Sequence, residues 1–180
     1  MRRKEGTLCP LFYYICFMKY FAYGSNTLKS RLEDRGVTLE RNDEGEIAIL
    51  NHYRIVFNKR SIKHSGEVYA NIMPCWGDYV LGRVWDVLNK DIELLDKFEG
   101  YPEHYEKTLV PVQIAGSTVL YLATTYIATE KYTTPVGKQL LSVDEKLHVS
   151  DNYRALMLEG LRNFDEGYVN KVRGLIDALS

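Results

Sequence analysis

A chain of 180 residues, 46% of them hydrophobic, is long enough to bury roughly 70% of its unfolded surface as one domain. Its 23 basic and 24 acidic side chains leave a formal net charge of -1, so no overall field draws in nucleic acid or an anionic membrane, and a small-molecule partner is expected. Three cysteines, Cys9, Cys16 and Cys75, make neither an even set nor a Cys-x-x-Cys pair, which argues against a disulfide framework or structural zinc and suits the reducing cytoplasm.

The chain opens with Met1-Arg2-Arg3-Lys4 and an apolar run from Leu11 to Phe17, a poor imitation of a secretory signal. Glu5, Gly6 and Pro10 interrupt it, no small-residue cleavage site follows, and the apolar stretch to Ala22 is too short to span a bilayer. Residues 1–17 are therefore expected to be an N-terminal extension outside the fold, with the domain covering 18–180. The tyrosines of that extension offer a surface for self-association as a homodimer.

Next comes Tyr20-Phe21-Ala22-Tyr23-Gly24-Ser25-Asn26, which reads as a buried strand ended abruptly by residues suited to tight turns. Gly24 lets a ligand reach the main chain, and the N–H groups around it can converge on an anion. Taken alone, the run also fits a plain strand-to-loop break. Leu28, Arg31 and Leu32 predict a short helix, and period-two alternation predicts a strand over 47–57. Further strands are expected over 68–73 and 80–87, followed by a helix capped by Asn89 and stopped by Gly100 and Pro102. Strands over 109–114, with Pro111 at an edge or bulge, and 119–126 complete a set of six.

The tail is helical. Tyr153, Leu156, Met157, Gly160 and Leu161 share one face, and Val169, Val172, Leu175, Ile176 and Leu179 share another. Strands followed by helices imply an α+β domain with a mixed, mainly antiparallel sheet able to curl into a small barrel. The basic cluster Lys59-Arg60-Ser61-Ile62-Lys63-His64 reads as a solvated loop between strands.

Glu99 calls for a reason. At about 100° per residue it falls on the apolar stripe with Ile92 and Leu95, at the C-terminal end of its helix. Burial and the negative helix end both disfavour a carboxylate there, so its pKa is expected to rise towards the range useful for general acid/base chemistry. The competing reading is a side chain bent outwards or paired with a lysine. Ser25 lacks the Gly-x-Ser-x-Gly context or partnered histidine of a nucleophile, and His52, His64, His104 and His148 show no metal-ligand spacing. No metal and no nucleotide cofactor are predicted.

Together, the 20–26 run and Leu95-Asp96-Lys97-Phe98-Glu99-Gly100-Tyr101-Pro102-Glu103-His104-Tyr105 resemble the gamma-glutamylcyclotransferase-like family. Tyr53-Arg54-Ile55-Val56-Phe57-Asn58, Ala70-Asn71-Ile72-Met73-Pro74 and Val80-Leu81-Gly82-Arg83-Val84-Trp85 fit its pattern too, so the resemblance covers nearly the whole chain from Met18. It implies a small mixed β-barrel and cofactor-independent conversion of a gamma-glutamyl amino acid or amine to 5-oxoproline and the free amine. In that resemblance Glu99 matches the catalytic glutamate, acting as base and then as acid. Tyr20, Phe21, Ala22, Tyr23, Gly24 and Ser25 match the substrate-binding segment, Asn26 braces its turn, and Tyr105 and Tyr153 match tyrosines near the site. The leaving group is expected against loops such as Asp43-Glu44-Gly45 and 127–135. The alternative is a non-catalytic binding module on the same fold.

Overall fold

The computed structural model describes residues 17–39, 44–135 and 146–179. Five strands, β1 (Phe17–Ala22), β2 (Glu46–Arg60), β3 (Val68–Leu88), β4 (Tyr105–Ile114) and β5 (Leu120–Ala128), close into a barrel in the order β1-β3-β2-β4-β5. All neighbours are antiparallel except β1 and β5, which meet in parallel with Tyr20 opposite Thr124 and so close the ring. Among the described residues four α-helices flank it: α1 (Lys29–Asp34), α2 (Asn89–Glu99), α3 (Asp151–Gly160) and α4 (Glu166–Asp177). The expected α+β fold, a mixed and mainly antiparallel barrel with flanking helices, is the observed one.

Why β1 ends in the apolar run Tyr20-Phe21-Ala22 follows from its place between two cores. Successive side chains of a strand point to opposite faces. Phe21 and Tyr23 enter a core with Leu50, Ile72, Met157 and Val172, whereas Tyr20 and Ala22 face a second core with Leu32, Trp85 and Leu95. A strand buried on both sides reads as a continuous hydrophobic run.

Three details differ from the expectation. The strands foreseen over 68–73 and 80–87 are halves of one strand, β3. Between Pro74, opposite Tyr53, and Tyr79, opposite Asn51, β3 carries extra residues that bow out of register with β2. Such an excursion looks like a strand break in sequence because it contains Gly77, at φ 83°, and Asp78. The N-cap of α2 is Leu88 rather than Asn89, and no side chain caps it. On α4 the buried stripe is Tyr168, Val172 and Ile176, which leaves Leu175 exposed. Pro111 lies where expected, in the part of β4 that β2 does not pair. β1 begins at Phe17, and the rest of the foreseen extension, residues 1–16, lies outside the described residues, as do Cys9, Cys16 and Asp43. Among the described residues no helix is long and apolar enough to cross a membrane.

The C-terminal helices hold the end of β1 in place. After β1 the chain makes a 3-10 turn, Ser25–Thr27, in which the Thr27 N–H and hydroxyl both donate to the Gly24 carbonyl. Gly160 of α3 packs against that turn so closely that a Cβ there would lie 2.2 Å from Thr27 Oγ1 and 3.1 Å from the Leu28 nitrogen. Gly160→Ala is therefore expected to push α3 off the turn and cost about 1–3 kcal/mol, the usual range for overpacking. Urea denaturation of the variant beside the parent checks this; unchanged stability would contradict it.

Candidate active site

Where the turn after β1 faces the end of α2, a cleft of about 930 Å³ opens. Of the residues singled out in the sequence, Tyr20, Tyr23, Gly24, Ser25, Asn26, Glu99, Tyr105 and Tyr153 line it. Phe21 and Ala22 do not; their side chains belong to the two cores.

Glu99 is placed by the helix that carries it. One turn earlier, Asp96 accepts from Tyr126 Oη at 2.7 Å and Lys107 Nζ at 2.8 Å, which clamps α2 to β4 and β5. Gly100 then ends the helix in the left-handed region, φ 68° and ψ 35°, where a Cβ would be strained. Glu99 does lie on the stripe of Ile92 and Leu95, with its side chain 16% exposed. The partner was not foreseen. Arg35 Nη1, just past α1, donates to Glu99 Oε1 at 2.7 Å, and its guanidinium lies 5.0 Å from the Phe98 ring centroid. Asn26 Nδ2 donates to the same oxygen at 3.1 Å. The carboxylate is both on the buried stripe and ion-paired, with an arginine where the competing reading had a lysine, and is thus anchored through Oε1, while Oε2 accepts no hydrogen bond from the described residues.

Asn26 does more than brace the turn. Its carbonyl accepts from Trp85 Nε1 at 3.0 Å, its Nδ2 also reaches Tyr20 Oη at 2.8 Å, and its Oδ1 is buried with no partner. A buried acceptor left unsatisfied is costly and rare, and it marks a place where a donor fits.

The tyrosines sort into two pairs by where their protons go. Tyr23 donates to the Tyr126 carbonyl and Tyr105 to the Ala70 carbonyl, the latter at 3.4 Å, so both hydroxyl protons are held by the barrel. Tyr20 and Tyr153 instead act as acceptors. Tyr20 Oη takes the Asn26 amide, and Tyr153 Oη takes the main-chain N–H of Ala70 at 3.3 Å and that of Ser25. Their own protons have no acceptor among the described residues. Burial first, and the Glu99 charge among the further causes, hold both phenols well above the usual tyrosine pKa, so both remain neutral donors. Tyr153 also explains Gly24: a Cβ at that position would sit 3.3 Å from its hydroxyl. The foreseen anion cradle is in part filled by a tyrosine oxygen, which offers a proton in place of the Ser25 N–H.

Lys59 departs from the reading of 59–64 as a solvated loop, which holds for the exposed Ile62, Lys63 and His64 between β2 and β3. It is 5% exposed, it is part of β2, and it lines the cleft. One extra residue on β2 between Phe57 and Lys59 shifts the register, so Lys59 pairs with Tyr69. Asn58 fixes this bulge by donating to the Thr134 carbonyl at 3.1 Å and accepting from Asn71 at 3.0 Å. Nothing in the alternation of the sequence announces a bulge, and bulges commonly re-aim side chains beside active sites. His64, His104 and His148 also line the cleft.

Lys59 Nζ lies 3.5 Å from His104 Nδ1. Burial, and next the Lys59 charge, hold the His104 pKa below its ordinary 6.5. An NMR titration should therefore find His104 losing its proton below pH 6.5, and Lys59→Met should move that midpoint upwards by removing a positive neighbour. A midpoint that stays or falls in the variant would contradict this placement. Among the described residues no group of three or more His, Cys, Asp or Glu side chains could hold a metal ion.

A closed mixed barrel with a carboxylate held against the turn after its first strand defines the class. The chain belongs to the gamma-glutamyl cyclotransferase, AIG2-like family, whose model matches residues 20–147. A solved structure named gamma-glutamyl cyclotransferase superposes with a TM-score of 0.69 at 21% identity, covering 87% of this chain and 86% of that one. An uncharacterised protein from Homo sapiens gives the same TM-score at 22% identity over 87% and 86% of the two chains. A gamma-glutamyl cyclotransferase specific to glutathione, from yeast, gives 0.61 at 13% identity over 91% and 97%. Likeness at these identities establishes the shared fold. No match was found among curated proteins.

Proposed function

We propose that the protein is a gamma-glutamyl cyclotransferase that converts a gamma-glutamyl amide to 5-oxoproline and the free amine, with Glu99 as the proton carrier. One observation carries this: Glu99 is fixed in the cleft through Oε1 alone, beside a buried Asn26 acceptor and two tyrosines with uncommitted protons. Such a site suits a substrate that brings an ammonium and a carboxylate on one carbon. The ammonium sits between Glu99 Oε2 and Asn26 Oδ1, and the carboxylate takes the protons of Tyr20 and Tyr153 beside Gly24.

Glu99 removes one proton from the α-ammonium, and the freed nitrogen attacks the γ-carbonyl carbon of the same molecule. As the old C–N bond breaks, Glu99 returns that proton to the leaving nitrogen. The ring nitrogen gives its second surplus proton to water, and the released amine takes one from water, so one ammonium is consumed and one formed. No enzyme nucleophile is needed, because holding attacker and carbonyl in one bent chain supplies the proximity. A carboxylate in this role contributes on the order of 10² to 10⁴ in rate. The test is 5-oxoproline release from a panel of gamma-glutamyl amino acids, gamma-glutamyl-lysine and glutathione, followed by chromatography. Release from at least one member is the expected result, and none from any would remove the proposal.

A further inference from the structure

The cleft holds cations with no carboxylate of a described residue at ion-pair distance. Glu99 is paired with Arg35, although its charge is also felt at Lys59, and Glu67 accepts from Tyr69 at 2.9 Å and from Ser150. Lys59 and Arg31 both line the cleft, and neither forms an ion pair with a described residue. Lys59 is nearly cut off from water; besides His104 Nδ1 at 3.5 Å, its ammonium faces the rings of Tyr69 and Tyr105 at 5.6 Å and Tyr132 at 5.9 Å, and none of these carries a negative charge. Arg31 has a buried Nε with no hydrogen-bond partner. Buried charges are normally paired, because leaving them alone forfeits hydration without return.

The two cations are linked to the turn after β1. Lys59 stands over the Tyr69 ring, the Arg31 charge is felt at the Tyr69 hydroxyl, and Tyr69 packs edge-on against Tyr153 at 5.0 Å. Tyr153 in turn touches Gly24 and Ser25. A ligand seated at Glu99 and the turn can therefore extend past Tyr153 to Lys59 and Arg31. The glutamyl carboxylate already has its donors at the turn, so the anion these cations fit is a second one.

We infer that Lys59 and Arg31 are specificity-determining residues that bind an acid group on the leaving amine, so that preferred substrates release an amino acid rather than a simple amine. This rests on the cyclotransferase reading and sharpens it. Tyr132, from the 127–135 segment where leaving-group selection was expected, closes the far side of Lys59.

Gamma-glutamyl-alanine and gamma-glutamyl-ethylamine differ only in that carboxylate. Calorimetric titration of both into Glu99→Gln, which is not expected to turn them over, should show the alanine compound binding about tenfold to a hundredfold more tightly. Adding Lys59→Met, or Arg31→Gln, should bring the ratio to about threefold or less. Equal affinities in the parent background, or a ratio that survives both substitutions, would overturn the inference. Lys59→Met removes a desolvated charge and is expected to fold, which thermal melting checks, and Arg31→Gln, at a partly buried position, is a second route to the same result. Turnover by the unmodified chain is scored separately. Tighter binding of the alanine compound without 5-oxoproline release supports the acid subsite while removing the cyclotransferase reading. Release with no preference between the two compounds does the reverse.

Discussion

Glu99→Gln is expected to lower the rate of 5-oxoproline release by about 10² to 10⁴ while leaving the chain folded. Glutamine keeps a carbonyl oxygen able to accept from Arg35 Nη1 and Asn26 Nδ2, the two bonds that fix the native carboxylate. What it loses is the ability to take a proton at Oε2. The change should fall on kcat and also weaken substrate binding, because an amide NH2 replaces the oxygen that meets the ammonium, while the melting temperature stays within about 4 °C of the parent, since the side chain is partly buried and its packing is kept. Glu99→Ala adds a second loss: it frees Arg35 and removes one anchor of Asn26, so the affinity for substrate should fall further. Equal turnover by the glutamine variant would remove Glu99 from the chemistry. A collapse in stability would instead mean that the ion pair with Arg35 is its main task.

Trp85→Ala is the largest stability effect expected. Trp85 is among the largest fully buried side chains, at 2% exposure, and sits in the core that also holds Tyr20, Leu32 and Leu95. Emptying such a site costs about 3–5 kcal/mol. For a chain of this size that is a fall of about 6–20 °C in melting temperature. The indole also donates to the Asn26 carbonyl, so the turn that carries Asn26 loses its support from below. Trp85→Phe keeps about two-thirds of the ring atoms and loses the hydrogen bond, so it should cost about 1–3 kcal/mol, less than the alanine change, yet still slow turnover through a displaced Asn26. Denaturant unfolding of both variants beside the parent gives the answer, and an alanine variant as stable as the phenylalanine one would contradict this account of the core.

How much of this was legible in the sequence depended on whether the signal was local. The buried run of β1, the abrupt turn at Gly24-Ser25-Asn26 and the placement of Glu99 on the stripe of Ile92 and Leu95 each rest on a few neighbouring residues, and each could be read. The partners could not. Arg35 meets Glu99 across 64 positions and Trp85 meets Asn26 across 59, and nothing in the local pattern of either residue points to the other. Lys59 was misread because a bulge at Asn58 turned a strand-end lysine inwards, and the bulge is held by Asn71 on the next strand and by Thr134, 76 positions away. The long β3 was divided in two because Gly77 and Asp78 carry the composition of a turn while sitting in an outward bow. The functions of the tyrosines were also out of reach: only the direction of each hydroxyl separates Tyr20 and Tyr153 from Tyr23 and Tyr105.

The most direct test of the central claim is the fate of oxygen when a gamma-glutamyl amino acid is turned over in water enriched in oxygen-18. Cyclisation predicts 5-oxoproline and free amino acid in equal amounts, with no label in the lactam, because the attacking atom is the substrate's own nitrogen. Labelled glutamate would mean that water attacks instead, and the role given to Glu99 here would be wrong.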